Sequence, residues 1–316
     1  MIYEYAVEPA VLNNWQDFRY VYDQVGIEHG RLISNFPSTW AKMVITACAD
    51  NSQLRDIDRT RLVEKLKSLR MNKMVKMNRP YDPGRNWLAN ADIEHRRCPF
   101  RAVLSRSTES SIPNLLNFDD LDADHSLWYV PKDRVVPRKA QELACCARLL
   151  LQISREIIVA DPHFDPGKPR FLETLSHLLQ YSFEEHPPKR IELHVEYDYW
   201  KEQQRERDWM EEAAQSLPRL IPEGFALKVF RWESRLTGDK PHARYILTER
   251  GGIRYDYGID EWKGEGQTTD VSLLSEDLYR RRWADYQVGT AAYTLIDDPV
   301  EIHGAGKRLE ADPLTT

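Results

Sequence analysis

The chain has 316 residues, 41% of them hydrophobic and 10% aromatic, which is enough for two domains with buried cores and excludes a low-complexity or disordered chain. Its formal net charge of −6 excludes a protein that coats nucleic acid through overall charge, so any such contact needs a local basic patch. The opening MIYEYAVEPA has neither the basic start nor the apolar core of a signal peptide, and no apolar run reaches the ~18–20 residues that span a bilayer, so a cytoplasmic protein without a membrane span is expected.

The four cysteines, Cys48, Cys98, Cys145 and Cys146, form no C-x-x-C pair. Reduced, buried thiols and no zinc site are the expectation.

The first ~100 residues read as mainly helical. From Arg55 to Arg79, Ile57, Leu62, Leu66, Leu69 and Val75 recur at helical spacing with Arg and Lys between them. Pro80, Pro83 and Gly84 break the pattern, and a shorter helix follows through Trp87 to His95. Between Arg55 and Arg106 basic residues outnumber acidic ones 14 to 6. Such a basic patch reads as a surface for nucleic acid or for an acidic protein or, more commonly, as a solvated helix face. Residues 100 to 137 then hold a strand (FRAVLSRS), a turn with a short apolar run (SSIPNLL), an acidic loop (DDLDADH) and an extended stretch (LWYVPKDRVVP). This is the expected junction, giving an N-terminal domain over 1–137.

The second domain is expected over 138–300, with a tail at 301–316. Gln141 to Ser154 reads as a helix, EIIVADPHF as a buried strand and Arg170 to Phe183 as a helix. RIELHVEYD is a strand, Tyr199 to Leu217 a charged amphipathic helix and FALKVFRW a strand. Residues 241 to 248 are a fourth strand, GG a tight turn, IRYDYGID a fifth strand, VSLL a short sixth, and Glu276 to Tyr286 a helix. Strands alternating with helices, closed by a hairpin, predict an α/β fold with a mixed sheet flanked by helices. No repeat occurs within the chain.

The segment KPHARYILTERGGIRYDYGID carries the most chemistry. On a strand over 242–248, His242, Arg244, Ile246 and Thr248 share one face. Two residues along a strand is ~6.5–7 Å, which lets an imidazole and a forked guanidinium hold one phosphate together. Gly258 lets backbone or ligand approach closely. A lone H-x-R is more often a surface histidine beside a salt-bridging arginine, so order and spacing must decide. Asp161, Asp165 and the DDLDAD run read as solvated carboxylates, and no metal site is expected. Motifs for P-loop, zincin, α/β-hydrolase or dinucleotide chemistry are missing.

The stretch resembles the H-x-K-x-x-x-x-D signature of the phospholipase D superfamily, with His242, Arg244 in place of Lys and Glu249 in place of Asp. It is more similar to the phospholipase D-like domain at the C-terminus of MIT-domain proteins, which has H-x-R, a turn and a strand ending G-x-G-hydrophobic-Asp. Here that end is Asp256, Tyr257, Gly258, Ile259 and Asp260, with Asp256 replacing the first Gly. Upstream, the family's apolar strand closing in Asp-Pro-aromatic is matched by Asp161, Pro162 and His163, followed by Phe164. The resemblance covers about residues 150 to 290. It extends to stand-alone prokaryotic relatives found among defence-associated proteins.

The resemblance implies a phospholipase D-like α/β domain behind the mainly helical one, acting on phosphodiesters without metal or cofactor, nuclease-like, in prokaryotic anti-phage defence. In such enzymes one histidine attacks phosphorus and a second protonates the leaving oxygen, while paired lysines neutralise the phosphoryl group. His242, Arg244 and Glu249 are the implied catalytic residues, and Asp161, His163, Gly258 and Asp260 would bind substrate. Two motif copies are needed and this chain has one, so a homodimer across a two-fold axis, or a larger defence complex, would supply the other. His163 is a second candidate at the same sheet edge. Arg for Lys changes donor geometry, and the MIT-associated relatives are regarded as binding domains that lost catalysis. The alternative is therefore a non-catalytic phosphate-site module that docks a partner protein, nucleic acid or anionic lipid. His194, mid-strand, reads as a core residue.

Overall fold

The computed structural model describes residues 1–107, 112–198, 202–203, 207–235 and 240–307. The chain divides into two units, Met1–Lys132 and Asp133–Thr316.

The first unit is an α/β layer built on a parallel sheet, where a mainly helical domain was expected. Its strands are β1 (Tyr3–Val7), β2 (Arg31–Ser34), β3 (Met74–Val75), β4 (Ala102–Ser105) and β5 (Leu115–Asn117), in spatial order β3-β2-β1-β4-β5 with every pairing parallel. The helices are α1 (Trp15–Gln24), α2 (Trp40–Asp50), α3 (Asp56–Asn72) and α4 (Trp87–Arg97). Strand alternation sorts the core into two layers. Tyr5, Val7, Ile33, Ala102 and Leu104 meet Phe18, Val21, Trp40, Val44, Leu62, Leu66 and Leu69 from α1, α2 and α3. Ala6 and Val103 meet Trp87 and Ala91 of α4, with Phe36 and Phe100. A sheet covered on both faces has short apolar strands without polar alternation, and such strands are hard to tell from helix turns. The helix expected over 55–79 ends at Asn72, and Val75 sits in β3.

The basic patch is largely consumed inside this unit. Arg55 and Arg61 pair with Asp58, Arg59 with Asp56, Arg85 with Asp82, Arg96 with Asp92 and Arg97 with Glu94. Arg106 pairs with Asp17 and Asp119. Arg79 is buried: it donates to Glu4, to Glu94 at 2.8 Å and to the Cys98 carbonyl at 2.7 Å, with its guanidinium 4.0 Å from the Phe100 ring centre.

The second unit holds β6 (Asp133–Pro137), α5 (Ala140–Cys145), α6 (Arg148–Gln152), β7 (Glu156–Ala160), α7 (Pro169–Phe183), β8 (Arg190–Glu196), α8 (Trp209–Ser216) and β9 (Ala226–Ser234). There follow β10 (Arg244–Thr248), β11 (Gly251–Tyr255), β12 (Thr268–Leu273), α9 (Glu276–Asp285), β13 (Tyr293–Leu295) and β14 (Val300–His303). Among the described residues the sheet has nine strands, ordered β13-β9-β8-β7-β10-β11-β12-β6, with β14 also on β9. β7, β8 and β9 are parallel; β10, β11, β12 and β6 are antiparallel to their neighbours. This is the mixed sheet flanked by helices that the element order predicts. The segment 133–137 belongs to this sheet, not to the first unit, and residues 301–303 of the expected tail lie in β14. Residues 308–316 of that tail, and residues 199–201 and 204–206 of the helix expected from Tyr199 to Leu217, fall outside the described residues; α8 starts where Asp208 accepts from the Met210 and Glu211 N–H groups.

The β10–β11 turn differs from expectation. Thr248 pairs with Gly251, so Glu249 and Arg250 make the turn and both glycines belong to β11. A Cβ on Gly252 would lie 2.6 Å from Leu247 Cδ2 and 2.8 Å from Leu274 Cδ1, so the glycine serves close packing. The cysteines also divide: Cys48 and Cys146 are buried, whereas Cys98 and Cys145 are exposed. Neighbours on a helix point about 100° apart, so an adjacent pair cannot both face one core. Among the described residues no helix is long and apolar enough to cross a membrane.

Candidate functional site

The register of β7 against β10 places the site. Tyr245 pairs with Ala160, so Arg244, at the start of β10, stands beside Asp161, just past the end of β7. β11 pairs Tyr255 with Arg244, which brings the loop after β11 to the same edge. This is the carboxyl edge of the parallel strands, where α/β sheets bind ligands.

Asp161 is buried and accepts two backbone N–H bonds, from His163 at 2.9 Å and from Ile259 at 3.2 Å. Arg244 Nε stands 3.9 Å from Asp161 Oδ1, and its Nη1 donates to the Asp256 carbonyl at 3.3 Å. Burial pushes the Asp161 carboxyl above the usual range, against the two N–H bonds and Arg244, which pull it down. Desolvation prevails because the guanidinium sits beyond hydrogen-bond reach.

Asp260 anchors the same loop. Arg138, just past β6, donates to Asp260 Oδ1 at 2.6 Å, and Arg170 Nε lies 3.2 Å from Oδ2. Gly258 makes this geometry reachable: its φ is +116°, and a Cβ there would stand 2.5 Å from Asp260 Oδ1. Three guanidiniums, Arg138, Arg170 and Arg244, thus gather at this edge around two carboxylates, Asp161 and Asp260.

The structure therefore brings Arg244, Asp161, Gly258 and Asp260 together. His163 is an exposed residue of the turn after β7, tied to the site through its backbone N–H. His242 differs from expectation. The strand begins at Arg244, so His242 precedes the pleat; it is exposed, with Nδ1 2.8 Å from the Lys240 carbonyl. Glu249 is not at this edge. It sits at the far end of β10, a five-residue strand spanning ~16 Å, and accepts from the Arg155 and Glu156 N–H groups at 2.9 and 3.0 Å. Its carboxylate closes the start of β7. His194 is a buried core group: Trp232 Nε1 donates to its Nδ1 at 2.8 Å, Glu192 meets Nε2 at 3.1 Å, and Phe230 stacks on the ring at 4.5 Å.

Arg138 and Arg170 escaped the sequence reading. Arg138 lies 122 residues from its partner and carries no local mark. Arg170 does carry one, since a cation in the first turn of a helix opposes the helix dipole unless a carboxylate balances it. Among the described residues no three His, Cys, Asp or Glu side chains converge as a set that could hold a metal ion.

No family model and no curated protein matches this sequence. Among solved structures, a chain described as "Structure of TrmBL2, an archaeal chromatin protein, shows a novel mode of DNA binding" aligns with 9% identity and a TM-score of 0.26, covering 52% of this chain and 55% of that one. The alignment thus spans about half the length of that structure.

Proposed function

We propose that the second unit is a phosphodiester-binding module of phospholipase D-like descent, which holds its ligand through Arg244 and His242 without cleaving it. One observation carries the reading: Arg244 and Arg170 are both partly exposed and stand with the buried Arg138 in a cationic group at the carboxyl edge of the sheet, a place suited to an anion. Two others favour binding over hydrolysis. His242 stands ahead of the strand with Nδ1 engaged by a carbonyl, and Glu249, the third element of the signature, serves the opposite end. A general acid and nucleophile need fixed mutual geometry, which these positions do not provide.

The test is binding and turnover of single-stranded DNA, RNA and a soluble phospholipid headgroup by the full chain. Binding of at least one, falling tenfold or more in Arg244→Ala with no product formed, is the expected result. Phosphohistidine trapped on His242 would overturn it in favour of the hydrolase, acting as a dimer. The role in antiviral defence belongs to the same proposal, and a plaque count with wild type and Arg244→Ala tests it.

A further inference from the structure

A second feature of this unit lies beside the arginine cluster. A groove of about 700 Å³ is lined by Lys139, Lys168, Arg170, Glu173, Trp262 and Lys263, with Pro169 and Glu261 completing it. The lining holds four cations and two carboxylates, and just outside it Asp165 pairs with Lys168 at 2.7 Å and Asp260 with Arg170 at 3.2 Å. The size is that of a small-ligand pocket.

The groove is pre-shaped. Asp260 is fixed by Arg138 and Arg170, the Glu261 N–H donates to the Arg170 carbonyl at 3.2 Å, and the Trp262 N–H donates to the Arg138 carbonyl at 2.9 Å. The loop that bears Trp262 is thereby pinned both to the first turn of α7 and to the end of β6. Trp262 is 37% exposed, with the Arg138 guanidinium 5.3 Å from its ring centre. Lys168 is the N-cap residue of α7 and gives its helix no side-chain cap; its exposed Nζ meets Asp165 Oδ2 at 2.7 Å, so it serves an anion at the helix start by exchanging that surface partner.

A planar aromatic platform beside a cationic helix start is the chemistry that recognises a base joined to a phosphate. We propose that this groove is a mononucleotide site, with the base on Trp262 and the phosphates on Lys168, Lys263 and the first turn of α7. Lys139 is partly engaged by Glu261 at 3.8 Å and contributes field rather than contact. The site shares Arg170 with the arginine cluster but needs neither His242 nor Arg244, so it can be tested separately from the phosphodiester reading.

Calorimetric titration of the full chain with ATP, AMP, adenosine and inorganic tripolyphosphate tests it. ATP and AMP bind, adenosine binds far more weakly, and Trp262→Ala weakens both nucleotides about 5- to 100-fold while leaving tripolyphosphate unchanged. Trp262→Phe retains most of the affinity. Lys263→Glu, on an exposed residue, weakens nucleotides and tripolyphosphate alike, and Glu249→Ala, at the far end of β10, changes neither. Nucleotide affinity that is indifferent to Trp262, or tripolyphosphate binding as tightly as ATP, would overturn the proposal. So would a single-stranded oligonucleotide that binds through Trp262 more tightly than any mononucleotide, since the groove would then serve a strand.

Discussion

Asp260 accepts a 2.6 Å hydrogen bond from Arg138 across 122 residues of chain, and both side chains are buried. The pair closes the loop after β11 onto the end of β6. Because breaking a buried pair strands a charge, Asp260→Ala is expected to cost about 3–5 kcal/mol, with Asp260→Asn recovering part of it. Urea titration measures this; a loss below about 1 kcal/mol would mean that water replaces the carboxylate.

Gly258→Ala tests the same loop from the backbone. A left-handed φ of +116° and a Cβ 2.5 Å from Asp260 Oδ1 combine strain with a clash. We expect a loss of at least about 2 kcal/mol, visible in the urea midpoint, and weaker nucleotide binding in the groove. A variant as stable as wild type would contradict the placement of this turn.

Glu249 and Arg244 should separate cleanly. Glu249→Ala removes the acceptor for two N–H groups at the start of β7 and is expected to cost about 1 kcal/mol, with phosphodiester affinity unchanged. Arg244→Ala should do the reverse, losing affinity at nearly full stability. If Glu249→Ala lowered affinity tenfold, the two ends of β10 would have to act as one site.

Stability should fall on acidification below about pH 6.5, the ordinary histidine value. Burial holds His194 below that value, and Trp232 donating to Nδ1 leaves the proton on Nε2 toward Glu192. The unfolded chain therefore takes up a proton that the folded one refuses, and the fold loses stability as pH drops. His29 and His95, also lowered by burial, add the same sign. Asp161 opposes them at lower pH: its raised carboxyl keeps a proton that the unfolded chain releases above about pH 3.9, so its contribution favours the fold on the acid side. Urea midpoints from pH 5 to 7 check this, and His194→Gln should flatten the slope.

The second unit was legible because its elements are long enough to show a period. α7, β8 and β9 fall within a residue or two of their expected bounds, and β7 starts where expected but ends at Ala160, the rest of EIIVADPHF forming the loop. The first unit was not. β1, β2 and β4 have four or five residues each and are mostly buried on both faces, so YEYAV, RLIS and AVLS show little alternation. The site was half legible. Asp161, Arg244, Gly258 and Asp260 sit near one another in two short motifs, whereas the two arginines that hold Asp260 come from elsewhere in the chain. The strand expected over 241–248 starts three residues later, at Arg244, which leaves His242 ahead of it; a strand's first residue is poorly marked by sequence.

One pairing in the sheet has a bearing on solubility. β13 covers Trp232 to Ser234 and β14 covers Ala226 to Val229, so two short strands between them shield most of one flank of β9. A chain cut before Tyr293 would bare one edge of a nine-residue strand that carries Leu227, Val229, Phe230 and Trp232, with the amide groups of that edge unpaired and ready to template other chains. Such a truncated protein should self-associate into fibrils or soluble multimers even though every residue of the arginine cluster is intact.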